Sequence, residues 1–104
     1  MREDMSDFEV NQQIARLLGY KVERKHLPLL DFWAMWKYGG SWLPLKDYCN
    51  SWADIGPLID EHWDYLNEED QFGVSRWDQV KCSLGVKATR AAAICILKKL
   101  ESGK

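Results

Sequence analysis

One stretch near the middle of the chain, YCNSWADIGPLIDEHWDYLN at residues 48–67, decides most of the fold. Its apolar side chains recur at intervals of three and four residues, which places them on one face of an α-helix; they are Ile55, Leu58, Ile59, Trp63 and Leu66. Asn50 or Ser51 can cap the start of this helix by accepting a hydrogen bond from a first-turn N–H group. Pro57 favours a later start at Asp54, because proline belongs in a first turn.

The other face of this helix and the residues after it are acidic. Residues 54–70 contain seven Asp and Glu and no Lys or Arg. Such a run is typical of a solvated helix face followed by a loop, and a docking surface for a basic partner is the alternative. His62 lies in this run beside Glu61, but neighbouring helical residues point to different faces, so we expect a solvated histidine.

A first helix precedes this stretch, at residues 6–18. Ser6 and Glu9 have the spacing of a capping box, and Gly19 supplies a left-handed stop. The segments 20–24, 29–36 and 41–45 then favour strands, with a turn at Gly39 and Gly40.

Two further elements follow the central stretch. Residues 72–84 have apolar spacings compatible with two short strands, or one bent strand, with a break near Asp78. Residues 88–100 are rich in helix-forming residues, and Ala93, Ile96, Leu97 and Leu100 predict a buried stripe. The expected fold is α+β: one domain over residues 1–104, with a small, mostly antiparallel sheet packed by three helices as a layered helix and sheet sandwich.

Composition narrows the classes of partner. The formal net charge is −2, which gives no electrostatic reason to bind nucleic acid. No apolar run is long enough to span a bilayer, and the polar start of the chain does not resemble a secretory signal, so the expected location is the cytoplasm. Three cysteines without CxxC spacing predict buried, reduced thiols.

Six tryptophans are unusual in 104 residues. Most are expected in the core, where an indole ring buries a large apolar area. Trp33, Trp36 and Trp42 surround the Gly39–Gly40 turn and form a candidate surface for a planar ligand or a partner's pocket. Core packing of these rings is the alternative.

A second candidate site is the start of the last helix, at residues 85–90. Lys87, Thr89 and Arg90 lie there beside N–H groups that have no helical partner, an arrangement that can bind a phosphate or carboxylate. An ordinary capped helix with solvent-facing basic residues is the alternative.

No pattern indicates catalysis, a metal or a cofactor. His26 and His62 lack a second ligand at metal-binding spacing. Cys49 has no cationic neighbour in sequence to lower its thiol pKa. We therefore predict a protein without enzyme activity.

Three blocks of sequence resemble a known family. They are FEVNQQIARLLGYKV at residues 8–22, YCNSWADIGPLIDEHW at residues 48–63 and ATRAAAICILKKL at residues 88–100. They are similar to small phage-encoded proteins of the NinX type and, more loosely, to the phage ABA sandwich domain, in particular through a W-A-x-x-G-P-I/L-I element that spans residues 52–59 here. The resemblance implies a layered sandwich fold and an origin in a phage or prophage, and it supplies no activity.

These observations together predict an accessory protein that acts by binding. It would interfere with a host process, such as defence, by occupying a host protein or by sequestering a small anionic, nucleotide-like ligand. A small enzyme acting on such a molecule and a structural component of the phage particle are the alternatives. Exposed indole rings would also suit self-association into a homo-oligomer.

Overall fold

A computed structural model describes residues 5–28 and 30–103. Its elements, in chain order, are helix α1 (Asp7–Leu17), strands β1 (Lys21–Leu27), β2 (Leu30–Trp36) and β3 (Leu43–Pro44), and helices α2 (Trp52–Glu61), α3 (Trp63–Leu66), α4 (Arg76–Leu84) and α5 (Ala88–Ser102). The strands form one antiparallel sheet in the order β1-β2-β3. The α+β class is confirmed, although the described residues form five helices rather than three. None of these helices is long and apolar enough to cross a membrane.

Helix α1 begins and ends where the sequence predicts. The Ser6 hydroxyl accepts a hydrogen bond from Glu9 N at 3.1 Å, and the Glu9 carboxylate accepts one from Ser6 N at 3.2 Å, which completes the capping box. Gly19 follows with a φ of 96°. Val10 and Ile14 are fully buried on its inner face.

Helix α2 starts earlier than Pro57 suggested. Ser51 is its cap and accepts a hydrogen bond from Asp54 N at 3.3 Å, so Pro57 lies in the helix interior. The prediction of a first-turn proline is wrong. Pro57 and Ala53 both lie on the exposed side of the helix, where solvent can replace the hydrogen bond that proline denies to the Ala53 carbonyl.

The strands predicted for residues 72–84 are wrong, because this segment contains a helix. Ser75 caps α4 by accepting a hydrogen bond from Asp78 N at 3.1 Å, and Gly85 ends it with a φ of 64°. Asp78 lies in the first turn, where its charge favours the positive end of the helix dipole, and does not break a strand.

Helix α5 forms the centre of the molecule and contacts α1, α2, α3 and α4. Every residue from Ala91 to Leu97 is buried, so the helix is enclosed on all sides rather than along one stripe. The surrounding core is mainly aliphatic, with Tyr48 as its fully buried aromatic ring.

The six tryptophans are not in this core, contrary to expectation. Trp33, Trp42, Trp52 and Trp63 are exposed, and Trp36 and Trp77 are half-buried. The three consecutive alanines of α5, residues 91–93, allow neighbouring helices to approach closely and leave room for aliphatic side chains rather than indoles. The rings therefore lie around the core.

The two faces of the sheet differ. Met35 of β2 is fully buried in the core, and Val22, its partner on β1, packs against the same core. Side chains alternate along a strand, so Trp36 lies on the opposite face. There it contacts Trp42, with ring centroids 5.2 Å apart, and Lys25 Nζ lies 3.5 Å from the centroid of the Trp42 ring. Lys21 Nζ lies 5.1 Å from the centroid of the Trp36 ring, so each of the two rings on this face has a lysine beside it.

Candidate binding site

A solvent-open groove lies where the start of α1 meets strand β2 and the segment 44–50. It encloses about 430 Å³, within the range of small-ligand and side-chain pockets. We call it the aromatic–acidic groove; it is lined by Asp7, Phe8, Asn11, Phe32, Trp33, Pro44, Leu45, Asp47 and Asn50.

One wall of the groove is aromatic. Phe8 and Trp33 lie with ring centroids 4.9 Å apart and planes tilted by 55°. Each ring retains more than a third of its surface exposed, so together they present a contact face rather than a filled core. Phe8 belongs to the first turn of α1 and Trp33 to the middle of β2, so the two elements meet at this wall.

The polar side of the groove is a hydrogen-bonded network. Asn50 Nδ2 donates to Asp7 Oδ2 at 3.0 Å and to the two carboxylate oxygens of Asp47 at 3.0 and 3.1 Å. Asn11 Nδ2 also donates to Asp47 Oδ1 at 3.0 Å, and its own Oδ1 accepts from Cys49 N at 3.2 Å. These bonds fix the segment 47–50 against α1.

The two carboxylates of the groove differ in their charge partners. Asp7 accepts a hydrogen bond from Asn50 and forms an ion pair with Arg90, and these contacts lower the pKa of its carboxyl group despite partial burial. Asp47 accepts only from the neutral amides of Asn11 and Asn50, and within residues 5–28 and 30–103 it has no ion pair. The groove therefore holds one carboxylate, that of Asp47, which forms no ion pair with any cation of the described residues.

The predicted anion site has a different role. Thr89 is buried and its hydroxyl donates to the Cys49 carbonyl at 2.6 Å. Arg90 donates to the Asp7 carboxylate and to the Met5 carbonyl. Of the three predicted residues, Lys87 alone has an exposed side chain. Thr89 and Arg90 would have to break these internal contacts to bind an anion.

The predicted tryptophan surface is divided between the two faces of the sheet. Trp36 and Trp42 are in contact on one face, whereas Trp33 lies on the other and lines the groove. Trp36 Nε1 is buried and has no hydrogen-bond partner among the described residues. The structure therefore brings two of the three rings together and assigns the third to another surface.

His62 is buried, so the prediction of a solvated histidine is wrong. Helix α2 ends at Glu61, and the ring turns toward α5, where Lys99 Nζ lies 3.1 Å from Nδ1. Burial and the Lys99 charge lower the pKa of His62. In the neutral ring Nδ1 accepts from the ammonium group, which leaves the proton on Nε2, a buried atom without a partner in the described structure.

The three cysteines differ in burial: Cys49 and Cys95 are buried, and Cys82 is exposed. Cys49 lies 3.9 Å from Arg90 Nη1, a cation that its neighbours in sequence do not reveal, yet burial outweighs this charge and raises the pKa of Cys49 to about 12. Burial likewise raises the pKa of Cys95 to about 11. Cys82 is exposed, contrary to expectation. Across the described residues, no group of His, Cys, Asp and Glu side chains could hold a metal ion.

Sequence reasoning missed most of the groove. Asn11 and Asp47 are 36 residues apart, and no local pattern connects them. Comparison with known proteins adds no assignment, since no family model, curated protein or solved structure matches the chain.

Proposed function

We propose that this protein acts by binding a partner protein in the aromatic–acidic groove. The observation that carries the proposal is the combination, in one groove, of two exposed aromatic rings in contact and a carboxylate that has no ion pair in the part of the chain that the structure describes. We further propose that it is an accessory protein of a phage or prophage, and that the partner is a protein in the cytoplasm of the host cell. The resemblance of the three sequence blocks supports that origin.

Aromatic rings are the side chains that most often dominate the affinity of protein interfaces. Phe8 and Trp33 are held by their helix and strand, so little side-chain entropy would be lost when a partner covers them. The network around Asn50 similarly orders the polar side of the groove before binding. These features favour recognition by a preformed surface.

A small anionic ligand receives less support than a protein partner. The groove is negatively charged, and the basic side chain of Arg90 is engaged with Asp7. An enzyme acting on nucleotides is also less well supported, because the hydrogen bond from Asn50 and the ion pair with Arg90 lower the pKa of Asp7, which makes this carboxyl group a poor proton donor.

Site-specific crosslinking tests the proposed function. A photo-crosslinking phenylalanine derivative replaces Phe8 in the groove or, as a control, Trp63, which is 53% exposed on α3. Both variants are produced in bacterial cells and irradiated. We expect one defined host protein to be attached at position 8 and not at position 63. Equal attachment at both positions, or none at position 8, would contradict binding in the groove.

A further inference from the structure

We infer that the aromatic–acidic groove accepts an arginine side chain, carried beside an apolar residue on the partner protein. This inference rests on the proposed function and adds the chemistry of the partner. Two features of the groove lead to it: the Asp47 carboxylate, which has no ion pair among the described residues, and the aromatic wall formed by Phe8 and Trp33.

The charge of the groove calls for a cation. Among the described residues its lining contains two carboxylates and no Lys or Arg, and the cations near its border, Arg90 and Lys87, act on Asp7, with which Arg90 forms an ion pair. Each carboxylate oxygen can accept two hydrogen bonds. Asp47 Oδ2 accepts one, from Asn50, so it can accept another from an incoming donor. A bound cation would therefore gain a charge-assisted hydrogen bond without displacing the existing network.

The geometry favours a guanidinium over an ammonium group. Asn50 Nδ2 lies 3.0 Å from both Asp7 Oδ2 and Asp47 Oδ1, so these two oxygens are no more than twice that distance apart. A guanidinium has five N–H donors in a planar fork, which can reach both carboxylates, and its flat face can stack on Trp33. The ammonium group of lysine offers one compact charge and no flat face.

The rest of the groove indicates that a protein segment delivers this arginine. Phe32, Pro44 and Leu45 form an apolar border beside the acidic side chains. A neighbouring apolar side chain on the same segment would cover that border and remove it from water. A lone guanidinium compound would leave it exposed.

A second copy of this chain is a less suitable source of the arginine. Arg24, Arg76 and Arg90 already form ion pairs with Asp31, Glu68 and Asp7 of their own chain. Among the arginines of residues 5–28 and 30–103, Arg16 is the remaining one, but its apolar neighbours Ala15 and Leu17 pack in the core of their own chain and could not cover the apolar border of the groove. The occupant is therefore assigned to a different protein.

Peptide selection on the wild-type protein tests the inference directly. A random twelve-residue peptide library is selected by mRNA display on the full chain, and enriched peptides are measured by fluorescence anisotropy. We expect the enriched peptides to share an arginine next to an aliphatic or aromatic residue. Replacing that arginine by citrulline, its uncharged analogue, should weaken binding about tenfold or more, as expected when a charged contact at an interface centre is lost.

Protein variants locate the contact. Asp47→Asn and Trp33→Ala should each weaken the peptide about tenfold, whereas the matched controls Asp60→Asn and Trp63→Ala, at exposed positions outside the groove, should leave binding within about twofold. The citrulline comparison uses the wild-type protein, so it stands even if a groove variant folds poorly.

Several results would overturn the inference. Three of them come from the peptide selection: no peptide is enriched, the enriched peptides lack arginine, or the arginine and citrulline peptides bind equally. The fourth comes from sedimentation: if the wild-type protein self-associates and Asp47→Asn abolishes this self-association, the occupant is a second copy of the chain. Crosslinking from position 8 separates these failures from failure of the proposed function. If that crosslink persists in Asp47→Asn at the wild-type yield, the groove remains the binding site and arginine is not its ligand.

Discussion

The hairpin segment, residues 20–46, and the rest of the chain differ in charge and in how much they contribute to the core. The hairpin segment contains five Lys and Arg against two Asp and Glu, whereas the rest contains nine against fourteen. The buried aliphatic side chains around α5 come mainly from the helical part, and the hairpin segment adds Ala34 and Met35 to the buried residues. Exposed aromatic rings occur in both parts: Trp33, Tyr38 and Trp42 in the hairpin segment, and Phe8, Trp52, Trp63 and Phe72 in the rest. The two parts therefore differ in charge and in their share of the core, and both present rings at the surface.

The aromatic–acidic groove lies at the junction of these two parts. Its aromatic wall joins Trp33 of the hairpin to Phe8 of α1, and its carboxylates come from α1 and from the segment that connects β3 to α2. Helix α1 and the segment between β3 and α2 hold the acidic side chains, and the sheet supplies an exposed ring. The comparison explains why a surface with both properties arises at this place.

The largest expected effect tests whether stability resides in the helices. Leu97→Ala in α5 removes a fully buried side chain and should lower the free energy of unfolding by about 2–5 kcal/mol. The same substitution at Leu43 of β3, which is 41% exposed, should cost less than about 1 kcal/mol. Urea unfolding followed by circular dichroism measures both. Similar losses would show that the sheet carries as much stability as α5.

A smaller effect is expected at the contact between α5 and the segment that forms the groove. Thr89→Val keeps the shape of the side chain but leaves the buried Cys49 carbonyl without the hydroxyl donor. It should cost about 1–3 kcal/mol in urea unfolding. Ser83→Ala, which removes an exposed hydroxyl, is the control and should change little. An unchanged stability of Thr89→Val would indicate that another donor replaces the hydroxyl.

The next effect depends on pH and comes from His62. Its pKa is lowered in the folded protein by burial and by Lys99, so the unfolded chain binds its proton more readily. Neutral His62 therefore contributes to the free energy of unfolding, and this contribution is fully present above about pH 6.5, the pKa of histidine in the unfolded chain. It is lost as the pH falls from there through the lower pKa that His62 has in the folded protein. Unfolding free energies measured between pH 5 and 7 should rise with pH, and less steeply in His62→Asn, whose side-chain oxygen can accept from Lys99. Equal slopes would exclude His62 as the source.

The successes and failures of the sequence analysis have physical causes. The capping box at Ser6 and Glu9 is a local signal, since both partners lie within one turn, and α1 forms as predicted. A similar capping signal at Ser75 and Asp78 marks the start of α4, and Trp77, Val80 and Leu84 follow at helical spacing. The valines of residues 72–84 are β-branched, however, and β-branched residues favour the prediction of strands. Attention to the capping residues would have corrected this segment.

The groove and the surroundings of His62 depend on contacts that are distant in sequence. Lys99 lies 37 residues from His62, and Arg90 lies 83 residues from Asp7. Periodicity indicates which face of a helix is apolar, but it does not indicate which side chain of another helix will meet it. The tryptophans show the same limit, because the size of an indole favours burial, whereas the core around α5 is filled mainly by aliphatic side chains from other parts of the chain.

The smallest predicted effect concerns how the hairpin holds its rings at the surface. Lys25 Nζ lies 3.5 Å from the centroid of Trp42, while its contact with Glu23 is longer, at 3.8 Å, and exposed. A cation above an indole at such a site is worth about 0.5–1 kcal/mol. Lys25→Gln should therefore cost that amount, and the exposed control Lys81→Gln should cost less.

A double-mutant cycle isolates this contact from the loss of the exposed ion pair. If the ammonium group acts through the ring, Lys25→Gln should have little further effect once Trp42 is replaced by leucine, which leaves a coupling energy of about 0.5 kcal/mol or more. Costs that add without coupling would mean that Lys25 acts through Glu23 alone. The hairpin would then rely on strand pairing rather than on cation–ring contacts, and its exposed rings would be held more loosely than the comparison with the helices implies.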